Sequence, residues 1–542
     1  MDSPEQVAHV PTFSSLATEL KLHIFDYVRL KADQGSARLI SQEWNRLMSP
    51  YMWTSFTPIS TGSFTNGLLS PSEEQKACFR RVRSLTLEWN QESSAGSCSW
   101  LSRVLPLLED NQLRAFTGAA DNPLPAKLLF ELLHRQAELT CFRARLDWTA
   151  AAGAIDDTAP WTTDLEHVLP LALHQVTTLR VYIGDLNAPG AHTQAFHEYE
   201  AVYNNVLVSS APHLDRLEIC GWRWQGMPND QKVPLYGQLQ HAMGASQAFR
   251  TLRQLVVADI DLSGVEDRLV QALSLDTLSV LRLEYCSQVD AFLQGLATAL
   301  RQQAKTSLRI LAVRTDYLRY HCKAGSLEEL LQSFTGLVEL ECSISLAVFM
   351  DWKGNTLQRH PGLRRLLISS FMIHMGVPGW PEIVPETLAQ CPQLYCFAYP
   401  PLEPGLGRVL DCSLPIKMPY GLDKSLDAVA TAPSLRMIRL LWAPGQYEME
   451  DELLRQTDEW IEKAAQIAYH FATLVLMYLY RRGSAIRLLA LSAESRWKQI
   501  RSDSNLHFYP HYYYKLESTE NGVNVVALRD YVAECPELAD FM

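Results

Sequence analysis

Two short patterns in the sequence come close to known catalytic or ligand-binding motifs. His197-Glu198 begins like a helical zinc motif, in which a second histidine follows four residues after the first, but Ala201 occupies that place. Gly405-Leu406-Gly407 is the nearest approach to a glycine-rich phosphate loop, and it lacks both the third glycine and the lysine. Neither pattern can hold its usual ligand.

Two side-chain groups could also do chemistry. Cys141 and His134 could imitate a thiol–imidazole pair, but Cys141 adjoins a predicted strand, where a small core residue is the favoured interpretation. The tyrosine- and histidine-rich run at 507–514 could form an aromatic ligand site, although alternation in a strand favours packing. Walker-type, GxSxG and HExxH patterns do not occur. The sequence therefore predicts a non-enzymatic protein with no catalytic residue, metal site or cofactor.

Length and composition limit the class of protein. A chain of 542 residues exceeds one ordinary hydrophobic core, so several domains or a repeat array are expected. Hydrophobic residues make up 47% and charged residues 20% of the chain, as in a globular protein. The formal net charge of −12 argues against a nucleic-acid partner, because binding there depends on neutralising phosphates with lysine and arginine.

Cysteine usage and hydropathy indicate the compartment. The eleven cysteines are odd in number and include no CxxC pair, which favours a reducing environment. The acidic N-terminus is unlike a signal peptide. The most apolar run, at 471–480, is shorter than the roughly 18–20 residues that span a bilayer. We expect a cytoplasmic and/or nuclear protein without a membrane partner.

One apolar pattern recurs along most of the chain: two apolar residues three apart, followed by a third apolar or small residue two positions later. The middle residues of its thirteen occurrences, here called markers, are Leu85, Phe116, Phe142, Leu179, Leu217, Leu255, Leu281, Leu311, Leu340, Leu366, Phe397, Ile438 and Leu489. From Leu255 to Leu366 successive markers are 26, 30, 29 and 26 residues apart. That spacing is close to the roughly 20–29 residues of a leucine-rich repeat, whose unit is one strand plus one helix.

The segments between markers fit this alternation of strand and helix. Helical periodicity predicts helices at 101–108, 127–134, 165–174, 196–208, 265–273, 289–300, 327–331 and 460–480. Several end in a Pro-x-Leu turn, as at Pro212 and Pro433, where proline stops the helix. A single such repeat cannot bury its own apolar face, but stacked repeats share a continuous core. A turn near Asn521-Gly522 predicts a C-terminal β-hairpin that caps the array.

The segment from Phe13 to Phe56 differs from the repeats. Leu16, Leu20 and Ile24 recur at helical spacing, and further apolar groups follow near Trp44 and Trp53. So small a unit buries only about 60% of its unfolded surface. It therefore has apolar surface left to dock onto a partner, or else to pack on the rest of this chain.

The run Leu16-Ala17-Thr18-Glu19-Leu20, Ile24-Phe25, Val28, Leu39 to Trp44 and Pro50 to Trp53 resembles an F-box. Ala17 replaces the usual proline, and Met52 replaces the leucine before the last tryptophan. The resemblance implies that this segment binds the Skp-type adaptor of a cullin-RING ubiquitin ligase. The residues that it places against the adaptor are Leu16, Ala17, Leu20, Ile24, Phe25 and Ile40.

The whole layout is similar to that of fungal F-box/leucine-rich-repeat proteins. We expect an α/β fold with a small helical F-box, an irregular leucine-rich-repeat solenoid of parallel strands and outer helices, and a C-terminal β-hairpin cap. The predicted segments are a disordered N-terminus (1–11), F-box (12–57), linker (58–79), solenoid (80–500) and cap (501–542). Such a protein is the substrate-recognition subunit of an SCF ligase; a binding scaffold that joins no cullin is the alternative.

In such a solenoid the residues that alternate with the core along each strand face the concave side. Their mixture of charges and aromatic side chains is typical of an interaction surface. The candidate residues for binding an unknown protein substrate are Arg180, Tyr182, Glu218, Arg282, Glu284, Arg314, Glu341 and Arg439. The alternative for any one of them is a solvated sheet face without function.

Overall fold

The fold is taken from a computed structural model. It describes residues 18, 21, 41–42, 44–45, 53–56, 73–87, 101–118, 124–147, 169–184, 194–221, 233–235, 239, 242–244, 248–303, 305–314, 324–343, 356–369, 380–399, 418, 421–440, 458–491, 512–519 and 522–528. Within these residues the chain forms a mixed α/β structure around one large, mostly parallel sheet.

The large sheet has sixteen strands, and their order in the sheet is their order in the sequence. The strands are β1 (Ser55–Phe56), β2 (Ser84–Thr86), β3 (Ala115–Thr117), β4 (Cys141–Arg143), β5 (Thr178–Ile183), β6 (Arg216–Gly221), β7 (Gln254–Ala258), β8 (Val280–Glu284), β9 (Ile310–Arg314), β10 (Glu339–Ser343), β11 (Arg365–Ser369), β12 (Cys396–Tyr399), β13 (Met437–Leu440), β14 (Leu488–Leu491), β15 (Tyr512–Thr519) and β16 (Gly522–Leu528). Neighbours are parallel from β1 to β14, and the last two strands run antiparallel. Each strand thus pairs with the strands before and after it in the chain.

Two small sheets lie beside the large one. Leu124–Pro125 pairs with Leu146–Asp147, and Val233–Pro234 pairs with Ile260–Asp261, both in parallel. These short pairs lie in the segments that connect strands of the large sheet.

The predicted markers form one continuous row across the large sheet. All thirteen lie in strands, and each is in register with the next, from Leu85 opposite Phe116 to Ile438 opposite Leu489. All thirteen are completely buried. The row continues to Tyr514, which is opposite Leu489 in β15. The apolar period therefore predicted the strand positions correctly, because each unit contributes one side chain at the same depth of the core.

Helices connect many of the strands and cover one face of the sheet. They include α1 (Glu73–Phe79), α2 (Ala126–Arg135), α3 (Gln194–Ser209), α4 (Glu266–Ala272), α5 (Val289–Gln302), α6 (Ala324–Ser333), α7 (Trp380–Gln390), α8 (Leu422–Thr431) and α9 (Asp458–Arg481), with 3-10 turns at Leu105–Leu107 and Leu357–Arg359. The apolar stripe of α5, including Phe292 and Leu296, shares a core with the marker Leu281. Helix α1 lies within the segment predicted as a linker.

Buried polar side chains close several helix-to-strand turns. The Gln136 amide donates a hydrogen bond to the carbonyl of Glu109 and accepts one from the backbone N–H of Leu113. His360 acts in the same way: its Nε2 donates to the carbonyl of Leu331, and its Nδ1 accepts from the N–H of Leu337. Such side chains satisfy backbone groups that would otherwise be buried without partners.

The two ends of the sheet differ from its middle. At the N-terminal end, Phe56 in β1 stacks on Trp53 and meets Phe79 edge to face, so this aromatic group packs against the repeat core. At the other end, β15 and β16 form the predicted β-hairpin. Helix α9 packs against this hairpin, and the Tyr469 hydroxyl donates a hydrogen bond to the carbonyl of Val525 at 3.1 Å.

Candidate functional site

All eight predicted substrate-binding residues lie in strands of the large sheet, on the face opposite the helices. Leu281 and Leu283 of β8 point into the core that the helices share, so Arg282 and Glu284 between them point the other way. The same alternation places Arg180 and Tyr182 on this face of β5. We call this surface the ionic face, because its charged side chains pair with one another in two clusters.

The Glu218 cluster consists of one carboxylate and three arginines: Arg143, Arg180, Arg216 and Glu218. Arg143 Nη2 donates to Glu218 Oε1 at 2.8 Å, and Arg180 Nε donates to Oε2 at 2.5 Å. Arg216 Nε lies 2.7 Å from Oε1. Tyr182 borders the cluster, since Arg180 Nη1 donates to its hydroxyl at 3.3 Å.

The Glu341 cluster lies further along the sheet and contains three arginines and three glutamates: Arg282, Glu284, Arg314, Glu339, Glu341 and Arg365. Arg314 Nε donates to Glu341 Oε1 at 2.8 Å, and Arg282 Nη1 reaches Glu341 Oε2 at 3.5 Å. The side chain between Arg282 and Glu341 in register is Ala312, which is small enough to leave room for this contact across β9. The other members meet through Arg282 with Glu339 (3.4 Å), Arg365 with Glu339 (3.4 Å) and Arg314 with Glu284 (3.9 Å).

The carboxyl pKa values follow from this pairing. Burial by itself raises a carboxyl pKa. At Glu341 burial acts in that direction, but the arginines, Arg314 foremost, outweigh it and lower the pKa to about 2. At Glu218 burial also raises the pKa, but the guanidinium groups of Arg180, Arg143 and Arg216 outweigh burial. They hold the Glu218 pKa below its ordinary value. At Glu284 burial prevails over the more distant Arg314, and the pKa is raised.

Small apolar groups separate and flank the clusters on the ionic face. Tyr182, Cys220 and Ala258 form one, and Leu367 with Ala398 forms another. Arg439, the last of the eight predicted residues, lies beyond Ala398 in the same row. The structure thus brings seven predicted residues to the two clusters or their border and places Arg439 further along the face.

Most of these side chains are buried, whereas the sequence had suggested an accessible surface. Only Arg180 and Arg282 of the eight are even partly exposed; the other six are buried. The reason is the register: parallel strands align arginine and glutamate side by side, so the charged groups form ion pairs with one another and can be buried together. The accessible part of the Glu218 cluster lies at Arg143 and Arg216, whose side chains are 24% and 40% exposed.

Four cluster members were missed from the sequence: Arg143, Arg216, Glu339 and Arg365. Arg143 follows its marker directly, as Arg180 does, but its repeat matches the apolar pattern poorly. Arg216, Glu339 and Arg365 each directly precede a marker, and that position also faces away from the core. The residues directly before and directly after each marker therefore include all four missed members.

The other sequence candidates do not form a site within the described residues. Cys141 lies on the ionic face in β4, where burial raises its pKa, whereas His134 is exposed in the last turn of α2 on the opposite side of the sheet. His197 belongs to α3, and 405–407 lies outside the described residues. The described residues contain no group of three or more potential metal ligands and no helix both long and apolar enough to cross a membrane.

The segment predicted to bind the adaptor is described only in part. Leu16, Ala17, Leu20, Ile24, Phe25 and Ile40 all lie outside the described residues. Within the same segment Trp44 is described: it is buried in a helix, and its backbone N–H donates a hydrogen bond to Ser41 Oγ.

Comparison with known proteins adds no family. No protein-family model matches the chain. No curated protein matches it either.

Proposed function

We propose that this protein is the substrate-recognition subunit of an SCF-type ubiquitin ligase. In this proposal the F-box-like segment at 12–57 binds the Skp-type adaptor, and the sheet behind it binds a target protein. The chain itself catalyses no bond chemistry and needs no cofactor. It acts in the cytoplasm and/or nucleus, where cullin ligases assemble.

The observation that carries the proposal is the row of markers combined with the sequential strand order. Fourteen parallel strands follow one another without exchange of position, and each repeat adds one buried residue to the row. This arrangement is what a leucine-rich-repeat solenoid requires, since each repeat contacts only its neighbours. A long repeat array after an F-box-like segment is the arrangement expected of a substrate receptor.

The mechanism is proximity. A target held on the array is kept near the ubiquitin-loaded enzyme that the cullin carries, so its lysines react as if in an intramolecular step. Aromatic and arginine side chains at the centre of a surface dominate protein binding. The Glu218 cluster supplies arginines on the ionic face, of which Arg143 and Arg216 are partly accessible.

Co-purification with a Skp-type adaptor tests the proposal. We expect the full chain to retain the purified adaptor, and the double variant Leu16→Asp/Ile24→Asp to lose it, because two buried charges oppose an apolar interface. Leu171→Asp is the matched control: its side chain is 72% exposed and lies outside the segment. Failure of the unaltered chain to bind, or equal loss in the control, would overturn the proposal.

A second measurement separates the ligase subunit from a scaffold. If the adaptor complex also captures the cullin, the chain acts within a ligase. If the adaptor binds and the cullin does not, the chain is a binding scaffold that acts outside a cullin ligase.

A further inference from the structure

The Glu218 cluster has an excess of positive charge. Three guanidinium groups, those of Arg143, Arg180 and Arg216, share a single carboxylate, which leaves two positive charges uncompensated within the cluster. Arg143 and Arg180 are also directly opposite each other in neighbouring strands. Like charges in that position repel.

Hydrogen bonding in the cluster is also incomplete. Arg143 Nε and Arg216 Nε are buried, and neither donates a hydrogen bond to any group in the described part of the chain. Arg216 Nε is near Glu218 Oε1, at 2.7 Å, but is not aligned to donate. Buried donors without acceptors are costly, so an acceptor that reached them would be bound favourably.

The Glu341 cluster on the same face provides the comparison. It holds three arginines and three glutamates, so the charges of its ion-paired members balance. Its paired groups Arg314 and Glu341 are almost inaccessible to solvent. The two clusters therefore differ in charge and access. The ion-paired charges of the Glu341 cluster balance, and it meets solvent mainly at Arg282, whose side chain is 17% exposed. The Glu218 cluster has excess positive charge and is more accessible, at Arg143 and Arg216.

We propose that the Glu218 cluster binds a phosphate group, through Arg143, Arg180 and Arg216. A phosphate monoester carries a charge of about −1.5 to −2 near neutral pH and three acceptor oxygens, which matches the excess charge and the free donors. Arginine forks suit such oxygens because two N–H groups can donate in parallel. Glu218 fixes the three guanidinium groups in place, as a positioning residue.

The source of the phosphate is a phosphorylated side chain of the target or a small phosphorylated molecule. Both present the same oxygens to the arginines. That the site serves target recognition rests on the proposed function, whereas phosphate binding itself does not depend on it.

Thermal unfolding of the full chain tests the site, with inorganic phosphate compared with chloride at equal ionic strength. A ligand that binds only the folded state raises the unfolding temperature. We expect phosphate to raise it for the unaltered chain, and Arg216→Gln and Arg143→Gln each to weaken apparent phosphate affinity by about tenfold or more. Arg216→Lys, which keeps the charge and loses the fork, should give an intermediate loss.

The matched control is Arg253→Gln. Arg253 is 71% exposed, pairs with Asp215 at 3.4 Å and lies outside the cluster. It should leave the phosphate response unchanged. Each variant must show an unaltered unfolding temperature in chloride before its response is compared. If phosphate and chloride act alike on the unaltered chain, or if the control loses as much as Arg216→Gln, the site does not exist.

Competition identifies the source. A phosphoserine peptide that displaces phosphate, while its serine and glutamate versions do not, supports a phosphorylated protein target. Displacement by a small polyphosphate but not by the phosphopeptide supports a small-molecule ligand. The adaptor pull-down gives an independent result: Arg216→Gln that loses phosphate and keeps the adaptor separates failure of this site from failure of the proposed function.

Discussion

Arg314 of β9 donates through Nε to Oε1 of Glu341 on the neighbouring strand at 2.8 Å, and both side chains are almost wholly buried. An ion pair in this position is a weak source of net stability, because taking two charges out of water is expensive. Removing one partner of the pair is strongly destabilising, because the other charge then stays buried without its partner. The pair therefore makes the fold depend on both residues.

Glu341→Gln should lower the free energy of unfolding by about 3 kcal/mol or more. The variant leaves three arginines of the Glu341 cluster facing only two carboxylates. Denaturant unfolding measures the loss. Glu329→Gln is the control: its pair with Arg301 is exposed, so the change should cost at most about 1 kcal/mol. Similar losses in the two variants would contradict the role of burial.

Gly221 at the end of β6 is required by a close approach of two backbone segments. A methyl group built on it would overlap the carbonyl oxygen of Asp259, a backbone atom that cannot move aside cheaply. Gly221→Ala should therefore cost about 1–3 kcal/mol in unfolding free energy. Gly325→Ala, in helix α6 with open space around it, should be neutral or stabilising by up to about 1 kcal/mol. A neutral Gly221→Ala would show that the segments can separate.

Two neighbouring tyrosines test how firmly the C-terminal hairpin belongs to the repeat core. Tyr514 continues the marker row opposite Leu489 and is 2% exposed, whereas Tyr513 points to the opposite face and is half-buried. Tyr514→Ala should cost about 3–5 kcal/mol, and Tyr513→Ala distinctly less. Denaturant midpoints provide the measurement. Equal effects would mean that the hairpin does not complete the core.

The repeat strands could be predicted from the sequence, because each requires an apolar side chain at one depth of a shared core. The period alone identified positions as distant as Leu85 and Leu489. The strand bounds were less certain, since β2 and β3 have three residues each and their hydrogen bonds depend on neighbours that the local sequence does not reveal. The F-box resemblance remains a prediction.

The ionic face was predicted only in outline. Alternation along single strands put Glu218 and Arg180 on one face, but which charges meet depends on register between strands. Arg143 and Glu218 are separated by 75 positions in the sequence and meet across the intervening strand β5. No local pattern encodes such a contact. Once the markers are aligned, however, the register follows, and the excess charge of the Glu218 cluster can be counted from the sequence.

His360 should make the fold sensitive to acid. It is completely buried, and burial, assisted by the charge of Arg359, lowers its pKa from 6.5 to about 4. Between those values the unfolded chain binds a proton that the folded chain does not, so stability falls as the pH drops from 6.5 towards 4. The full loss is about 3 kcal/mol. Glu341 adds a separate loss at lower pH. Its pKa is lowered to about 2 in the folded state, so it stabilises the fold at pH values above its ordinary pKa of 4.5, and this contribution is lost as the pH falls from 4.5 towards 2.

A glutamine substitution isolates this contribution, because the protein already uses glutamine in an equivalent place. Gln136 and His360 each stand three residues before the first apolar residue of a repeat and bridge the same kinds of backbone group. His360→Gln can keep both hydrogen bonds and cannot take up a proton. We expect it to be close to the unaltered protein in stability at pH 7 and progressively more stable than it below about pH 6. Parallel curves of unfolding free energy against pH would show that His360 is not the group that titrates.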